Sequence, residues 1–407
     1  MTLTRRRFLQ TTMAAVAATG LEPVPFRASL IPGSAAQIPE DRFDPWIEVD
    51  RTALKHNVAE VHRITSGRPI LAVIKNNAYG LGLTLAARLL EPFPEVKAFA
   101  VVKTESAFAL REAGIKKPVL LMARFHRSVA ADLVRQQIQP CLLADDALDL
   151  IESMGRALGA PVPAQVYLDT GMSRMGVPYH RALPWIESLI RSGKVSIQGT
   201  FMGFTEDPDF DREQLKRFLA VANQASEAGM ELGLLHAASS SAVFELPEAH
   251  LNMVRPGMAL YGGFPNDPRE QRKKASLHCT VRLKARVVRV ERLRAGDSVS
   301  YGRNYVAHEP TWVATIPVGH TDGYPRRAVE GARVLIGTRT YPVIGAVSAS
   351  HTIVEVGREE SVQVGDIVTL IGSEAPEVNP NWISVETGVS VYDLFMHLNP
   401  SLPRILV

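Results

Sequence analysis

The chain of 407 residues is poor in cysteine, with only Cys141 and Cys279. That excludes a disulfide framework and a cysteine-based metal centre. One bridge between the two is open in an oxidising compartment, and two ordinary buried thiols is the simpler reading. Charge of one sign is also scarce. Lys+Arg number 45 against Asp+Glu 42, a formal charge of +3. Part of that excess sits in Arg5-Arg6-Arg7, so no basic surface argues for nucleic acid. There is no apolar run of the length and leucine content that a membrane anchor needs. Internal repeats, low-complexity tracts and long Pro/Gly/Ser linkers are absent too. What remains is ordinary globular material, 46% hydrophobic and 21% charged, in a length that suits two domains.

The first residues read as an address. Arg5-Arg6-Arg7-Phe8-Leu9 precedes the weakly apolar "TTMAAVAATG", an order resembling the twin-arginine signal of exported folded proteins. A disordered basic tail is the plain alternative. Ser34-Ala35-Ala36 supplies a small-residue cleavage site, so residues 1–36 are expected to be a signal peptide, with the mature chain beginning near Gln37 in the periplasm.

Beyond it, "WIEVDRTALKHNVAEVHRIT" reads as a short strand and a helix, with Leu54, Val58, Val61 and Ile64 at helical spacing. From Ile70 to about Arg255 a unit recurs: apolar strand, turn, amphipathic helix. The strands are "ILAVIK", "AFAVV", "PVLLMA", "QPCLLA", "AQVYLD", "SIQGTFMG", "LGLLHAA" and "LNMVRPG". This α/β alternation predicts a (β/α)8 TIM-like barrel over 37–282, with an open doubly wound sheet as the alternative. After Leu283 the texture changes to short strands broken by Gly, Pro and Asp, as in "TWVATIPVG" and "ARVLIGTRTYPVIGAVS". A mainly-β domain is expected over 283–407, with one helix at "SVYDLFMHL".

Lys75 ends the first of the repeating strands and is followed by Asn76-Asn77-Ala78-Tyr79-Gly80. Strand ends of this kind face the active site of a barrel, and a lysine that loses hydration there becomes a carbonyl nucleophile. A solvent-facing lysine at a strand end is the bland reading. Groups that suit a phosphate lie further on: the hydroxyl of Tyr79, the serines of "HAASSSAV" (Ser240 among them), and the amides of Gly257 and Met258 after Arg255.

With these residues in view the chain resembles the alanine racemases. "AVIKNNAYGLG" looks like that family's cofactor-lysine motif, and "YLDTGMSRMGV", "VRPGMALYGG", "VSYGRNY" and "PVGHTDGYPRR" follow in the family's order. The resemblance implies pyridoxal 5′-phosphate as cofactor and a homodimer with shared active sites. Lys75 resembles the lysine that holds the cofactor covalently and serves as one acid/base. Tyr301 resembles the opposing base, contributed by the other subunit. Arg255 resembles the arginine facing the pyridine nitrogen, which restrains the ring as an electron sink. Tyr79, Ser240, Gly257 and Met258 match phosphate contacts. Arg174 matches the arginine beside Tyr301 and the substrate carboxylate, where a nearby cation favours phenolate.

Several positions depart from the family pattern. Tyr167 stands where alanine-specific members carry a lysine that positions the arginine. Met202-Gly203-Phe204 replaces "THF", whose histidine supports the catalytic tyrosine. Ser348-Ala349-Ser350-His351 replaces "CMDQ", placing Ala349 beside the substrate. His320 replaces the tyrosine of "GYADG". A corridor tyrosine near the terminal "PRI" reads as lost around Pro400. Loss of bulk implies a wider side-chain pocket and broader amino-acid specificity. Two rival readings stand beside racemisation. A basic amino-acid decarboxylase of the same fold uses a late cysteine, and none follows Cys279. A non-catalytic pyridoxal-phosphate carrier lacks a β domain and a counterpart of Tyr301.

Overall fold

The computed structural model describes residues 42–143 and 146–407. Seven parallel strands form the inner sheet in the order Ile70–Val73, Val96–Val101, Val119–Leu121, Ile138–Leu142, Val162–Asp169, Val195–Phe201 and Leu234–His236. Helices such as Leu83–Leu90, Thr104–Glu112, Tyr179–Arg191 and Pro208–Glu227 connect them. The eighth predicted strand is an irregular stave. Leu71 N–H donates to the Val254 carbonyl at 2.9 Å and Val254 N–H to the Pro69 carbonyl at 3.0 Å, while Arg255 N–H donates to the Ala238 carbonyl at 2.8 Å. These bonds join the first strand to the last and close a barrel. Pro256 follows at once and has no N–H to extend the ladder, so only a bridge forms there.

The second sheet has nine strands: Arg289–Leu293, Thr311–Ile316, Thr352–Gly357, Arg339–Ile344, Arg333–Ile336, Ile367–Ile371, Val281–Arg286, Trp46–Val49 and Arg404–Leu406. One sequence boundary needs correction. The strand Trp46–Val49, placed with the barrel by a division at 282/283, belongs to this β sheet. It pairs antiparallel with Val281–Arg286 and parallel with Arg404–Leu406. Short strand patterns give no partner, so the sequence could not say which sheet takes it. Half-buried charges fasten the junction: Arg282 bonds Asp50 at 2.9 Å and lies 3.3 Å from Glu374, and Lys284 lies 3.0 Å from both Glu48 and Glu374.

The late helix is present as Val391–Met396. A second helix, Pro380–Thr387, precedes it. Its signal was in the sequence: the Asn379 side chain caps it, and Pro380 sits in its first turn. Cys141 and Cys279 are both buried and unbridged. Among the described residues no helix is long and apolar enough to cross a membrane. The twin-arginine motif and its cleavage site fall outside the described residues.

Candidate active site

Lys75 leaves the fully buried strand Ile70–Val73 on a turn of unusual hand. Asn76, Asn77, Ala78 and Tyr79 all take positive φ, at 52°, 57°, 51° and 53°. Four such residues in a row are strained, Ala78 and Tyr79 most, since glycine visits this region freely and asparagine at lower cost than other residues. Gly80 ends the turn, and a Cβ there would lie 2.1 Å from the Phe395 carbonyl. Two clamps hold the conformation. The Asn77 carboxamide accepts from Leu83 N–H at 2.9 Å. The Arg404 guanidinium, from the β domain, donates twice to the Gly80 carbonyl at 3.0 and 2.7 Å. The sequence showed two amides and two glycines without showing this handedness.

Lys75 lines a cavity of about 520 Å³ at the C-terminal end of the barrel, a size suited to a small-molecule ligand. Burial, with the positive charges of Arg174 and Arg255, pushes its ammonium below the ordinary lysine value, and Glu206 acts in the opposite direction. Arg255 forms the cavity's buried wall. Its guanidinium donates to Met202 O at 2.6 Å and to His236 Nδ1 at 3.0 Å, and it lies over the Phe201 ring at 5.0 Å. His236 Nε2 meets the Gln165 carboxamide oxygen at 2.9 Å. Burial and the Arg255 charge keep His236 neutral, so Nδ1 accepts and Nε2–H donates. Neither His236 nor Gln165 stood out in the sequence, because a lone histidine after "LGLL" reads as core.

The other end of the cavity is a cradle of hydroxyls and close backbone. Ser240 Oγ accepts from Gly257 N–H at 2.9 Å and Ala259 N–H at 3.2 Å. The Ser239 hydroxyl is buried with no partner. A Cβ on Gly257 would sit 2.2 Å from the Tyr79 oxygen, so only glycine permits this approach. Burial raises the Tyr79 phenol well above its ordinary value and keeps it a donor. Met258 turns its side chain into the core, leaving its backbone as what it can offer a ligand. An orphaned hydroxyl, a protonated phenol and a glycine-lined approach suit a phosphate group. With an amine at hand and a guanidinium on the buried wall, these residues fit pyridoxal 5′-phosphate.

Two residues around the cavity were not anticipated. Glu206, on the loop after Val195–Phe201, lines its rim. Burial and Asp211 raise its carboxyl above the usual value, against the pull of Lys75 and Arg174. Tyr392 also lines the cavity, with its ring centroid 6.4 Å from that of Tyr79. This corrects the reading of a lost C-terminal tyrosine around Pro400: an aromatic hydroxyl is present, carried by the helix Val391–Met396. The inferred loss of bulk on that side does not hold.

Arg174 lines the cavity and makes no hydrogen bond or ion pair with another described residue. Tyr301 and Ala349 do not line it. Tyr301 is 77% exposed on a loop where Ser300 and Arg303 have φ of 60° and 52°. The loop holding Ala349 packs beneath it, as the Ser300 hydroxyl donates to the Ala346 carbonyl at 2.9 Å. Thr321 donates from both N–H and hydroxyl to the Ala349 carbonyl at 3.1 and 2.7 Å. His320 Nε2 meets Arg326 at 2.8 Å on the same side. Thus the β domain gathers Tyr301 and Ala349 on one rim, apart from Lys75 in the same chain.

Comparison with known proteins decides the family. The description "Alanine racemase, N-terminal domain" matches residues 49–265, and "Alanine racemase, C-terminal domain" matches residues 280–406. The chain belongs to the alanine racemase family. It is similar to the alanine racemase of Carboxydothermus hydrogenoformans, 32% identical over 369 residues, covering 89% of this chain and 99% of that one. The alanine racemase of Syntrophobacter fumaroxidans is 32% identical over 356 residues, covering 86% and 94%. Among solved structures, the alanine racemase of Clostridium difficile 630 superposes with a TM-score of 0.81 at 25% identity, covering 89% of this chain and 95% of that chain. The enzyme from Streptomyces coelicolor A3(2) also reaches 0.81 at 25% identity, covering 90% and 98%. As a member of this family the chain is an isomerase, and both of the expected domains, barrel and β, are present.

Proposed function

We propose that the chain interconverts L- and D-alanine with pyridoxal 5′-phosphate, passing a proton between Lys75 on one face of the substrate and Tyr301 of a second copy on the other. One observation carries this reading. A depressed lysine amine, an unpartnered arginine and a phosphate cradle share one cavity, while Tyr301 is held out in solvent on a strained loop of the other domain. When bound, the cofactor withdraws electrons from the substrate's α-carbon and so acidifies its proton. Lys75 then takes or returns that proton at Nζ. Its amine is neutral more readily than an ordinary lysine because burial and two guanidinium groups oppose its charge. Arg255, fixed by His236 and Met202, faces the cavity as a cation at neutral pH, although burial lowers its pKa to about 10. Tyr79 and Ser239 offer hydroxyls to the phosphate. Arg174, which makes no hydrogen bond or ion pair with another described residue, favours the phenolate of an incoming Tyr301 and meets the substrate carboxylate.

A homodimer follows from this assignment, because Tyr301 needs a cavity supplied by another chain. Broader amino-acid specificity rests on Ser348-Ala349-Ser350-His351, and the Tyr392 wall limits it on one side. Export by the twin-arginine route, with a periplasmic enzyme as product, rests on Arg5-Arg6-Arg7-Phe8-Leu9 alone. D/L chromatography of alanine, with lysine, arginine, methionine and serine in parallel, tests activity and range together. Lys75→Ala and Tyr301→Phe serve as controls. Retained racemisation in Lys75→Ala would overturn the mechanism. Turnover of alanine alone would remove the broad range.

A further inference from the structure

We infer that Tyr167 is a substrate-binding residue, its hydroxyl joining Arg174 to hold the α-carboxylate of the amino acid; this rests on the racemase reading above. Tyr167 lies near the C-terminal end of the barrel strand Val162–Asp169 and is only 6% exposed. Its ring stacks on Phe201, with centroids 4.5 Å apart and planes at 25°. The ring is therefore fixed by packing, but its hydroxyl makes no hydrogen bond with any described residue while bordering the cavity. A buried phenol ordinarily finds a partner. The Tyr167 oxygen is open to the cavity, where a bound ligand can complete it.

Arg174 lines the same cavity from its exposed side and makes no hydrogen bond or ion pair with a described residue. The point that a Cβ on Gly203 would occupy lies 3.1 Å from the Tyr167 oxygen, 3.6 Å from Met172 Sδ and 4.0 Å from Arg174 Nη2. An O–H donor and a guanidinium around one corner, with Met172 closing the side, suit a small anion. The carboxylate is the anion that every α-amino acid carries. The arrangement also accounts for Gly203. A side chain at this position would press against the phenol oxygen, so Tyr167 in this position favours glycine at 203. The loop carrying Gly203 is kept in place by Gln214, whose Nε2 donates to the Gly203 carbonyl at 3.2 Å.

The test uses the holoenzyme. Propionate, a carboxylate without the amine, is titrated by calorimetry, and alanine racemisation is followed in parallel. Tyr167→Phe keeps the stacked ring and removes one hydrogen bond to a charged group. The Kd for propionate and the KM for alanine should both rise about tenfold, with kcat and the cofactor absorbance changing much less. Both constants staying within about twofold of wild type would overturn the assignment. Gly203→Ala gives a second arm. It should weaken propionate in the wild-type background and add nothing in Tyr167→Phe, where the crowded oxygen is gone; additive effects would refute the shared volume. A wild-type protein that binds propionate through Tyr167 but racemises nothing would sink the racemase reading and leave this inference standing. Racemisation indifferent to Tyr167→Phe would do the reverse.

Discussion

Replacing Arg404 by methionine keeps the length of the side chain and removes the guanidinium that ties the β domain to the lysine turn. Arg404 donates to Gly80 O at 3.0 and 2.7 Å, and to Asn399 O, Pro400 O and Leu402 O at 3.2, 3.1 and 2.7 Å. Among the described residues all of its hydrogen-bonding partners are carbonyls. Burial lowers its pKa, so desolvation offsets part of what the bonds contribute. Water replaces the guanidinium readily at the more exposed Asn399–Leu402 carbonyls. The loss then comes mainly from Gly80, whose two bonds from a charged donor are together worth on the order of 3 kcal/mol. The opposing strain is comparable, because Ala78 and Tyr79 at positive φ cost roughly 1–2 kcal/mol each and Asn76 and Asn77 less. Arg404→Met should therefore lower unfolding free energy in urea by about 3 kcal/mol. It should also slow capture of pyridoxal phosphate by the apoenzyme, read from the absorbance of the lysine-bound cofactor. A stability loss below about 0.5 kcal/mol, with capture at the wild-type rate, would show that the turn holds itself and refute the clamp.

Capture of the cofactor's aldehyde by Lys75 should rise with pH around a midpoint below the ordinary lysine value of about 10.4, since burial and two cations favour the neutral amine. Glu206 stabilises the ammonium, so Glu206→Gln should move that midpoint further down, and a shift upward would refute the sign. Gly257→Ala places a methyl against the Tyr79 oxygen at a nominal 2.2 Å and should weaken cofactor affinity at least tenfold in an equilibrium titration, with wild-type affinity as the refuting result. Inactive Lys75→Ala and Tyr301→Phe subunits, unfolded together and refolded as a mixture, should regain about a quarter of wild-type activity, because half of random dimers are mixed and each holds one intact site. Recovery of nothing would mean that Lys75 and Tyr301 do not meet across a subunit boundary.

The barrel was legible because its strands are short apolar runs separated by helices of clear period. Ile70–Val73 and Pro208–Glu227 both carry such patterns locally. The strand Trp46–Val49 was visible as an element but not as a member of the β sheet, since pairing across the chain leaves no mark in four residues. Lys75, Tyr79, Ser240, Arg174, Arg255 and Gly257 were readable from motif position, and the structure brings all six to one cavity. Glu206, His236, Gln165 and Tyr392 were not. His236 and Gln165 act through neighbours in the interior, where sequence shows only an isolated polar residue among apolar ones. Tyr392 lies well before the terminal "PRI", and placing it against Tyr79 needs the helix that turns it inward. The coupling of Tyr167 to Gly203 required two adjacent barrel strands in register.

The strand Trp46–Val49 lies between Val281–Arg286 and Arg404–Leu406 in its sheet. On the ribosome this segment emerges early and waits for partners that are translated near the end. The barrel strands are made from the intervening residues. The Gly80 carbonyl, however, meets its guanidinium only when Arg404 has left the exit tunnel. The contact that fastens the lysine turn is thus among the last that synthesis can supply. A product that stops short of Arg404 therefore keeps the lysine without the grip that shapes its surroundings.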